Sequence, residues 1–200
     1  MPRRLTDVVH ELDAFLAGES AVHRTLEALA RRLSELDVEF ALAGGLAVAV
    51  RGHERLTVDV DVLIASEGLT RFRTAWLGRG YVERFPGSRS VRDTETGVAI
   101  DFLVAGDYPG DGRPKSVRFP NPGDVPRGDG PFRVVDLRTL IELKLAAGLS
   151  SPDRLQDLAD VLALIRANHL DLTVAEALDV SVREKYHELW HVATTPPREL

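Results

Sequence analysis

The first 37 residues carry apolar side chains at helical spacing, in two runs that Gly18 separates. Residues at positions i, i+3 and i+4 share one face of an α-helix, so such a run indicates an amphipathic helix. The pattern predicts two packing helices in this segment, one over residues 5–16 and one over residues 22–36.

Between residues 38 and 136, strand patterns alternate with helical ones. The clearest strand covers residues 57–65, where side chain types alternate at the period of two that a half-buried strand requires. The stretch 106–130 is rich in glycine, proline and aspartate and is predicted to be a long surface loop. The same criteria predict further strands over 38–43, 81–85, 90–93, 98–104 and 132–135, and helices over 46–50 and 67–77.

Helical periodicity returns in the last third of the chain and predicts helices over 137–148, 152–168 and 174–191. Ser151 or Asp153 is placed to cap the second of these helices. The elements divide the chain into N-terminal helices (1–37), a core (38–136) and a helical C-terminal region (137–200), which we expect to pack together as one unit. The predicted fold class is α/β (α+β): a short mixed β-sheet flanked by helices on one side and followed by the C-terminal helices.

Composition narrows the class of protein. The chain has 200 residues and no cysteine, which excludes disulfides and thiolate metal sites. Its apolar runs stay well short of the roughly 18 residues that a membrane span needs. Residues 1–4 (Met-Pro-Arg-Arg) are followed by acidic residues rather than by the apolar stretch of a secretory signal. We therefore expect a cytoplasmic protein with no membrane partner.

The formal net charge of −6 makes the chain a poor general binder of nucleic acid, because neutralising phosphates requires clustered lysine and arginine. One short stretch, residues 71–92, does contain clustered arginines. We interpret its arginines as a solvated surface, and the alternative is a rim that contacts a phosphorylated partner or RNA. They are Arg71, Arg73, Arg79, Arg84, Arg89 and Arg92.

Candidate chemistry lies on two of the predicted strands. Asp59 and Asp61 are two residues apart on the strand 57–65, so both side chains project from one face with Cα atoms about 6.5–7 Å apart. Asp101 lies on the apolar strand 98–104. Carboxylates on core-like strands need solvent or a cation, because an unpaired buried charge is costly. For Asp101 the partner is either an arginine or a shared metal ion.

A pair of glycines, Gly44 and Gly45, joins the strand 38–43 to the helix 46–50. Glycine lets backbone N–H groups approach phosphate oxygens, and a helix N-terminus adds a favourable partial charge. The pair is therefore a candidate phosphate-binding turn, although the needs of a tight turn also explain it. No Gly-Lys-Ser/Thr sequence follows, which excludes a P-loop.

Taken together, these residues resemble the nucleotidyltransferase (polymerase-β-like) superfamily. The resemblance is carried by residues 43–47 (Ala-Gly-Gly-Leu-Ala), residues 55–62 (Arg-Leu-Thr-Val-Asp-Val-Asp-Val) and a later strand carboxylate at Asp101. The Arg-x-Thr-x-Asp-h-Asp form, in which h is apolar, is closest to minimal bacterial members such as the AbiEii-type toxins of toxin–antitoxin systems. Residues 140–147 and 154–161 resemble the helical segment that follows the core in those proteins.

The resemblance implies magnesium-dependent transfer of a nucleoside monophosphate from a nucleoside triphosphate to a hydroxyl of RNA, protein or a small molecule. Asp59, Asp61 and Asp101 are then catalytic and metal-binding, with two Mg²⁺ ions expected. If the chain is a toxin, an antitoxin protein is an expected partner. The implied nucleotide-binding residues are Gly44, Gly45, Arg55, Thr57, Lys144 and Asp157.

Several alternatives stay open at this point. Lys144 also fits a solvated helix lysine, and Asp160 competes with Asp157 as the motif aspartate, while Arg154 with Asp157 fits an ordinary intrahelical pair. A non-catalytic nucleotide-binding or partner-binding module of the same fold is a second hypothesis, which three intact carboxylates argue against. A third is a small-molecule modifier of the aminoglycoside-adenylyltransferase kind, with the loop 106–130 shaping its acceptor pocket.

Overall fold

The computed structural model describes residues 19–127 and 130–195, and the helix predicted over residues 5–16 lies outside these ranges. The helices in the described part are α1 (Ala21–Glu35), α2 (Gly44–Val50), α3 (Ser66–Trp76), α4 (Leu137–Ser150), α5 (Leu155–Ala167) and α6 (Val180–Thr194). The strands are β1 (Phe40–Leu42), β2 (Asp59–Ile64), β3 (Tyr81–Glu83), β4 (Ser90–Asp93) and β5 (Ala99–Val104). Short 3₁₀ segments cover Pro122–Asp124, Pro152–Arg154 and Leu172–Ala177.

Within the described residues, the strands form one sheet with the order β1-β2-β5-β4-β3. β2 and β5 run parallel, and the other neighbouring pairs run antiparallel. The predicted α/β class with a mixed sheet is therefore confirmed. The register of the parallel pair sets Asp61 directly opposite Asp101, which fixes the geometry of the site described below.

Helices cover both faces of the sheet, so the expectation of helices on one side was wrong. One face packs against α1 and α3, which contribute residues such as Leu29 and Phe72 to a shared core. The other face contributes Leu63 to a second core, which is built mainly from α2, α4, α5 and α6. The reason is visible in β2, whose last three residues, Val62, Leu63 and Ile64, are all buried. A strand that is apolar on both faces needs a covering layer on each.

The predicted strand over residues 57–65 is shorter in the structure. Thr57 and Val58 precede β2, and Val58 is 57% exposed rather than part of the apolar back of the strand. The predicted strand over 132–135 was also wrong, because this segment forms only an isolated bridge between Val134 and Leu42. The guanidinium of Arg51 accounts for this, since it binds the carbonyls of Val134 and Val135 at 2.9 and 3.0 Å.

Two helix starts differ from the predictions. α2 begins at Gly44, so the glycine pair forms the first turn of that helix instead of preceding it. α5 begins at Leu155 after the 3₁₀ turn Pro152–Arg154, and no side chain caps either segment. The predicted cap by Ser151 or Asp153 was therefore wrong, because the proline starts its own turn first. In the part of the chain that the structure describes, no helix has the length and apolar character to cross a membrane.

Candidate active site

Three carboxylates share one face of the sheet. Asp59 and Asp61 are the first and third residues of β2, so their side chains project to the same side. Asp101 is the Cα partner of Asp61 across the parallel pair β2–β5, and adjacent strands lie about 4.8 Å apart. All three side chains are half-buried. The same face is buried two residues further along β2 by Leu63, so the carboxylates occupy its open end.

The crowding of these acids changes the pKa of Asp61. Burial, together with the charges of Asp59 and Asp101, raises its pKa to about 7. Lys144 and a backbone hydrogen bond from Gly45 oppose the increase without cancelling it. The three carboxylates therefore repel each other when all are ionised at neutral pH. A cation bound between them would stabilise the ionised forms.

Thr57 holds the carboxylate of Asp59 in place. The side chain is only 5% exposed although it precedes the strand. Its hydroxyl donates a hydrogen bond of 2.8 Å to Oδ1 of Asp59. Threonine at this position therefore holds one Asp59 oxygen in place and leaves the other oxygen for a ligand.

The glycine pair is packed against these same side chains. Gly44 has a φ of +54°, and a β-carbon added there would lie 1.7 Å from Oδ2 of Asp61. A β-carbon on Gly45 would lie 2.6 Å from the Thr57 hydroxyl. Both positions thus require glycine for the approach of the chain to β2, in addition to any contact with phosphate.

A buried ion network forms the opposite wall. The ammonium of Lys144 lies 2.8 Å from Oδ1 of Asp157 and 2.8 Å from Oδ2 of Asp160. Asp160 is fully buried and also accepts hydrogen bonds from Arg55 at 3.0 Å and from Gln156 at 2.8 Å. Burial raises the pKa of Asp160, but Lys144, Gln156 and Arg55 together outweigh it and bring that pKa below its usual value. Lys144 is therefore a buried, paired lysine rather than a solvated one.

These parts surround an open cleft of about 770 Å³. Every residue that the sequence places at the site lines this cleft, so the fold brings them all together. They are Gly44, Gly45, Arg55, Thr57, Asp59, Asp61, Asp101, Lys144 and Asp157.

Sequence reasoning missed several residues of the cleft. Asp160, which is buried behind the cleft lining, joins Arg55 to Lys144, whereas the sequence offered it only as a competitor of Asp157. Phe85 and Tyr108 also line the cleft. The signals for them in the sequence are indirect: Phe85 lies inside the arginine-rich stretch, and Tyr108 lies in the loop 106–130 that was considered as part of an acceptor pocket.

The donor set of the cleft suits magnesium. Carboxylate oxygens are the ligands that Mg²⁺ prefers, and the ion commonly combines one or two of them with phosphate oxygens of a substrate. The residues that the structure describes include no group of three or more His, Cys, Asp or Glu side chains arranged to hold an ion by themselves. The two statements agree if the phosphates of a nucleotide supply the missing ligands, and Asp59, Asp61 and Asp101 fit magnesium in that sense.

Comparisons with known proteins agree with this geometry. The family model described as "Nucleotidyl transferase AbiEii toxin, Type IV TA system" matches residues 27–199. No protein of curated function matches the chain.

Two solved structures of one protein, ANT(2'')-Ia, share the fold at low sequence identity, and a third structure matches with a lower TM-score. The solution structure of the antibiotic-resistance factor ANT(2'')-Ia matches with a TM-score of 0.50 and 14% identity, over 84% of this chain and 97% of that one. The crystal structure of ANT(2'')-Ia in complex with adenylyl-2''-tobramycin gives 0.50 and 15%, over 81% and 99%. The STING-associated CdnE c-di-GMP synthase from Capnocytophaga granulosa gives 0.35 and 14%, over 86% and 78%.

Proposed function

Because the chain belongs to the AbiEii family of nucleotidyl transferase toxins, we propose that it transfers a nucleoside monophosphate from a nucleoside triphosphate to a hydroxyl acceptor in this cleft. The observation that supports this most directly is the register that sets Asp61 opposite Asp101, with Asp59 on the same face. The family is one of type IV toxin–antitoxin systems, so we further propose that the chain acts as a toxin and that an antitoxin opposes it.

The three carboxylates are proposed to hold magnesium together with the triphosphate. Bound there, the metal would neutralise phosphate oxygens and favour ionisation of the attacking hydroxyl. The glycine pair packs against Asp61 and against Thr57, which holds Asp59, and Gly45 lies beside a nitrogen of Arg55. We place the triphosphate on this side of the cleft, next to backbone N–H groups and cations that are already in position.

The chain's own groups then perform the transfer. The acceptor hydroxyl attacks the α-phosphorus in line, the new P–O bond forms as the bond to the β-phosphate oxygen breaks, and pyrophosphate leaves. Asp101 accepts the proton of the attacking hydroxyl. We assign this role to Asp101 because it lies on β5, beside Ser90 of β4, and not on β2 with the two carboxylates next to the proposed triphosphate. Lys144 acts through its charge rather than by direct contact with the departing phosphates, because Asp157 and Asp160 hold its ammonium, and the same charge opposes the rise in the pKa of Asp61.

Removal of the metal is the first test. We expect incubation with a chelator to abolish transfer of labelled nucleotide from a mixture of the four ribonucleoside triphosphates, and added Mg²⁺ to restore it. Circular dichroism recorded in parallel should show an unchanged fold, because the described residues include no group of three or more His, Cys, Asp or Glu side chains that could hold a structural metal ion. Transfer that continued at the same rate in excess chelator would rule out the assigned role of the carboxylates.

The edge of the cleft near β4, which we call the rim, carries arginines and aromatic rings and favours an acceptor with negative charge. The loop 84–89 joins β3 to β4 and contributes Arg84, Phe85 and Arg89 to the cleft, and Tyr108 adds a second aromatic ring. Phe85 is 61% exposed, and Arg118 lies over the ring of Tyr108 at 4.6 Å. Arginine with exposed aromatic rings suits the backbone and unstacked bases of single-stranded RNA. Asp107 offsets the charge of Arg89 but not that of Arg84, so the rim keeps a cation that disfavours a polycationic aminoglycoside, and we propose RNA as the acceptor.

Substitution of Phe85 tests this choice. Stacking on an aromatic ring contributes about 1–3 kcal/mol per base, so we expect Phe85→Ala to raise the KM for an RNA acceptor by about tenfold or more. Affinity for the nucleotide should not change. Val82→Ala is the matched control, because Val82 is also exposed, at 45%, and lies on β3 outside the cleft. Equal KM values for Phe85→Ala and the wild type would remove the support for RNA.

A further inference from the structure

Five charged side chains, four lining the cleft and the fifth (Asp160) buried behind its lining, form a continuous series in which bases and acids alternate. Arg55 binds Asp160, Asp160 binds Lys144, Lys144 binds Asp157, and Asp157 binds Arg154. The N–O distances along the series lie between 2.7 and 2.9 Å. The series starts beside Gly45, where a β-carbon would lie 3.3 Å from an Arg55 nitrogen, and it ends at Arg154, which also lines the cleft.

The series carries three positive charges and two negative ones, so one positive charge is left over. Lys144 is the least able to present it, because its side chain is only 8% exposed and both neighbouring carboxylates hold its ammonium. Arg55 is 25% exposed. It is fixed by Asp160 and makes a longer contact with the carbonyl of Leu56. The excess positive charge is therefore available at Arg154, the other end of the series.

Arg154 meets the requirements for presenting that charge. Its side chain is 42% exposed and lines the cleft. Oδ2 of Asp157 accepts a hydrogen bond from Nε, at 2.8 Å, and lies 2.7 Å from Nη2. That leaves Nη1 with no partner among residues 19–127 and 130–195. A guanidinium held on one edge by a carboxylate and open on the other is oriented to donate to a phosphate.

We propose that Arg154 is a phosphate-binding residue of the cleft and that Asp157 orients it. The proposal rests on the proposed nucleotidyl transfer, and it assigns a ligand to a pair that is otherwise only an intrahelical ion pair. Phosphate reaches the cleft from two sources, the triphosphate and the backbone of an RNA acceptor. Asp157 pairs with both Arg154 and Lys144, and the charge of Lys144 acts on Asp61. Because Asp61 is one of the carboxylates proposed to hold the metal and the triphosphate, the triphosphate is the expected source.

Binding of inorganic tripolyphosphate with Mg²⁺, followed by calorimetry, tests the proposal without knowledge of the base. Hydrogen bonds to charged groups contribute about 1.5–3 kcal/mol, so Arg154→Gln should weaken tripolyphosphate binding about tenfold to a hundredfold. Arg154→Lys should recover part of that loss, since it keeps the charge but not the fork of donors. The matched control is Arg166→Gln, because Arg166 is also exposed, lies on α5 and, within the described ranges, uses its guanidinium only to bind the carbonyls of Val192 and Ala193.

A second measurement separates the two sources of phosphate. Weaker binding of tripolyphosphate assigns Arg154 to the nucleotide, and a raised Kd confined to a single-stranded RNA oligonucleotide assigns it to the acceptor. Either result supports a phosphate-binding role. Unchanged affinity for both probes in Arg154→Gln would overturn it. The proposed function fails separately, if the wild-type protein transfers no nucleotide, and the binding comparison remains valid in that case.

Discussion

We expect the Asp61→Asn variant to lose nucleotide transfer by about 10³-fold while staying folded. Asp61 is the carboxylate between the other two, next to Asp59 along β2 and opposite Asp101 across the sheet. A metal ion contributes several kcal/mol of charge stabilisation in the transition state, and each 1.4 kcal/mol corresponds to a factor of ten in rate. Asparagine keeps the size of the side chain and its capacity to accept from Gly45, but it cannot supply an anionic ligand.

Stability should respond in the opposite direction from activity. Replacing Asp61 removes one of three half-buried acids that repel each other. The metal-free Asp61→Asn protein should therefore melt at the same temperature as the metal-free wild type or at a higher one. A gain in stability on removal of a functional residue is typical of sites in which like charges are held together for binding.

Transfer rates and melting curves of metal-free protein check both statements. Asp124→Asn is the control for the change from carboxylate to amide, because Asp124 is exposed and lies outside the cleft. It should leave transfer and melting temperature unchanged. If Asp61→Asn transferred nucleotide within tenfold of the wild-type rate, this carboxylate could not be a metal ligand of the reaction.

The placement of the three acids could be predicted from the sequence, because it depends on local periodicity. The alternation in residues 57–65 puts Asp59 and Asp61 on one face, and the apolar strand around Asp101 has to lie in the same sheet. Their roles stay a prediction, but their convergence on one face follows from the strands. The same periodicity did not predict that helices cover both faces, since it cannot tell which helix packs on which side.

The opposite wall of the cleft depends on contacts that no local pattern contains. Arg55 and Asp160 are 105 residues apart in the sequence, and each alone fits an ordinary surface charge. Burial of Asp160 becomes evident only when α5 is placed against α4, where Lys144 and Arg55 supply the compensating charge. The role of Gly44 was also incomplete from sequence, because its distance from Asp61 follows from the turn into α2.

That distance leads to the second large effect: Gly44→Ala should abolish transfer. A left-handed backbone costs an L-residue about 1–2 kcal/mol, and Gly44 has a φ of +54°. The added β-carbon would also lie 1.7 Å from Oδ2 of Asp61, so the carboxylate would have to leave its place. The variant should therefore combine a modest loss of stability with a loss of activity close to that of Asp61→Asn.

Gly78→Ala separates the two causes. Gly78 has a φ of +74° and open space around its missing side chain, so alanine there carries the backbone cost without displacing a carboxylate. We expect both variants to lose stability in urea unfolding, with the larger loss in Gly44→Ala because of the added steric overlap with Asp61, and only Gly44→Ala to lose transfer and tripolyphosphate binding. Activity that fell equally in both would mean that backbone strain, and not the displacement of Asp61, limits the enzyme. Activity retained in Gly44→Ala would mean that the carboxylate can work from another position, which the close packing of Gly44 against β2 argues against.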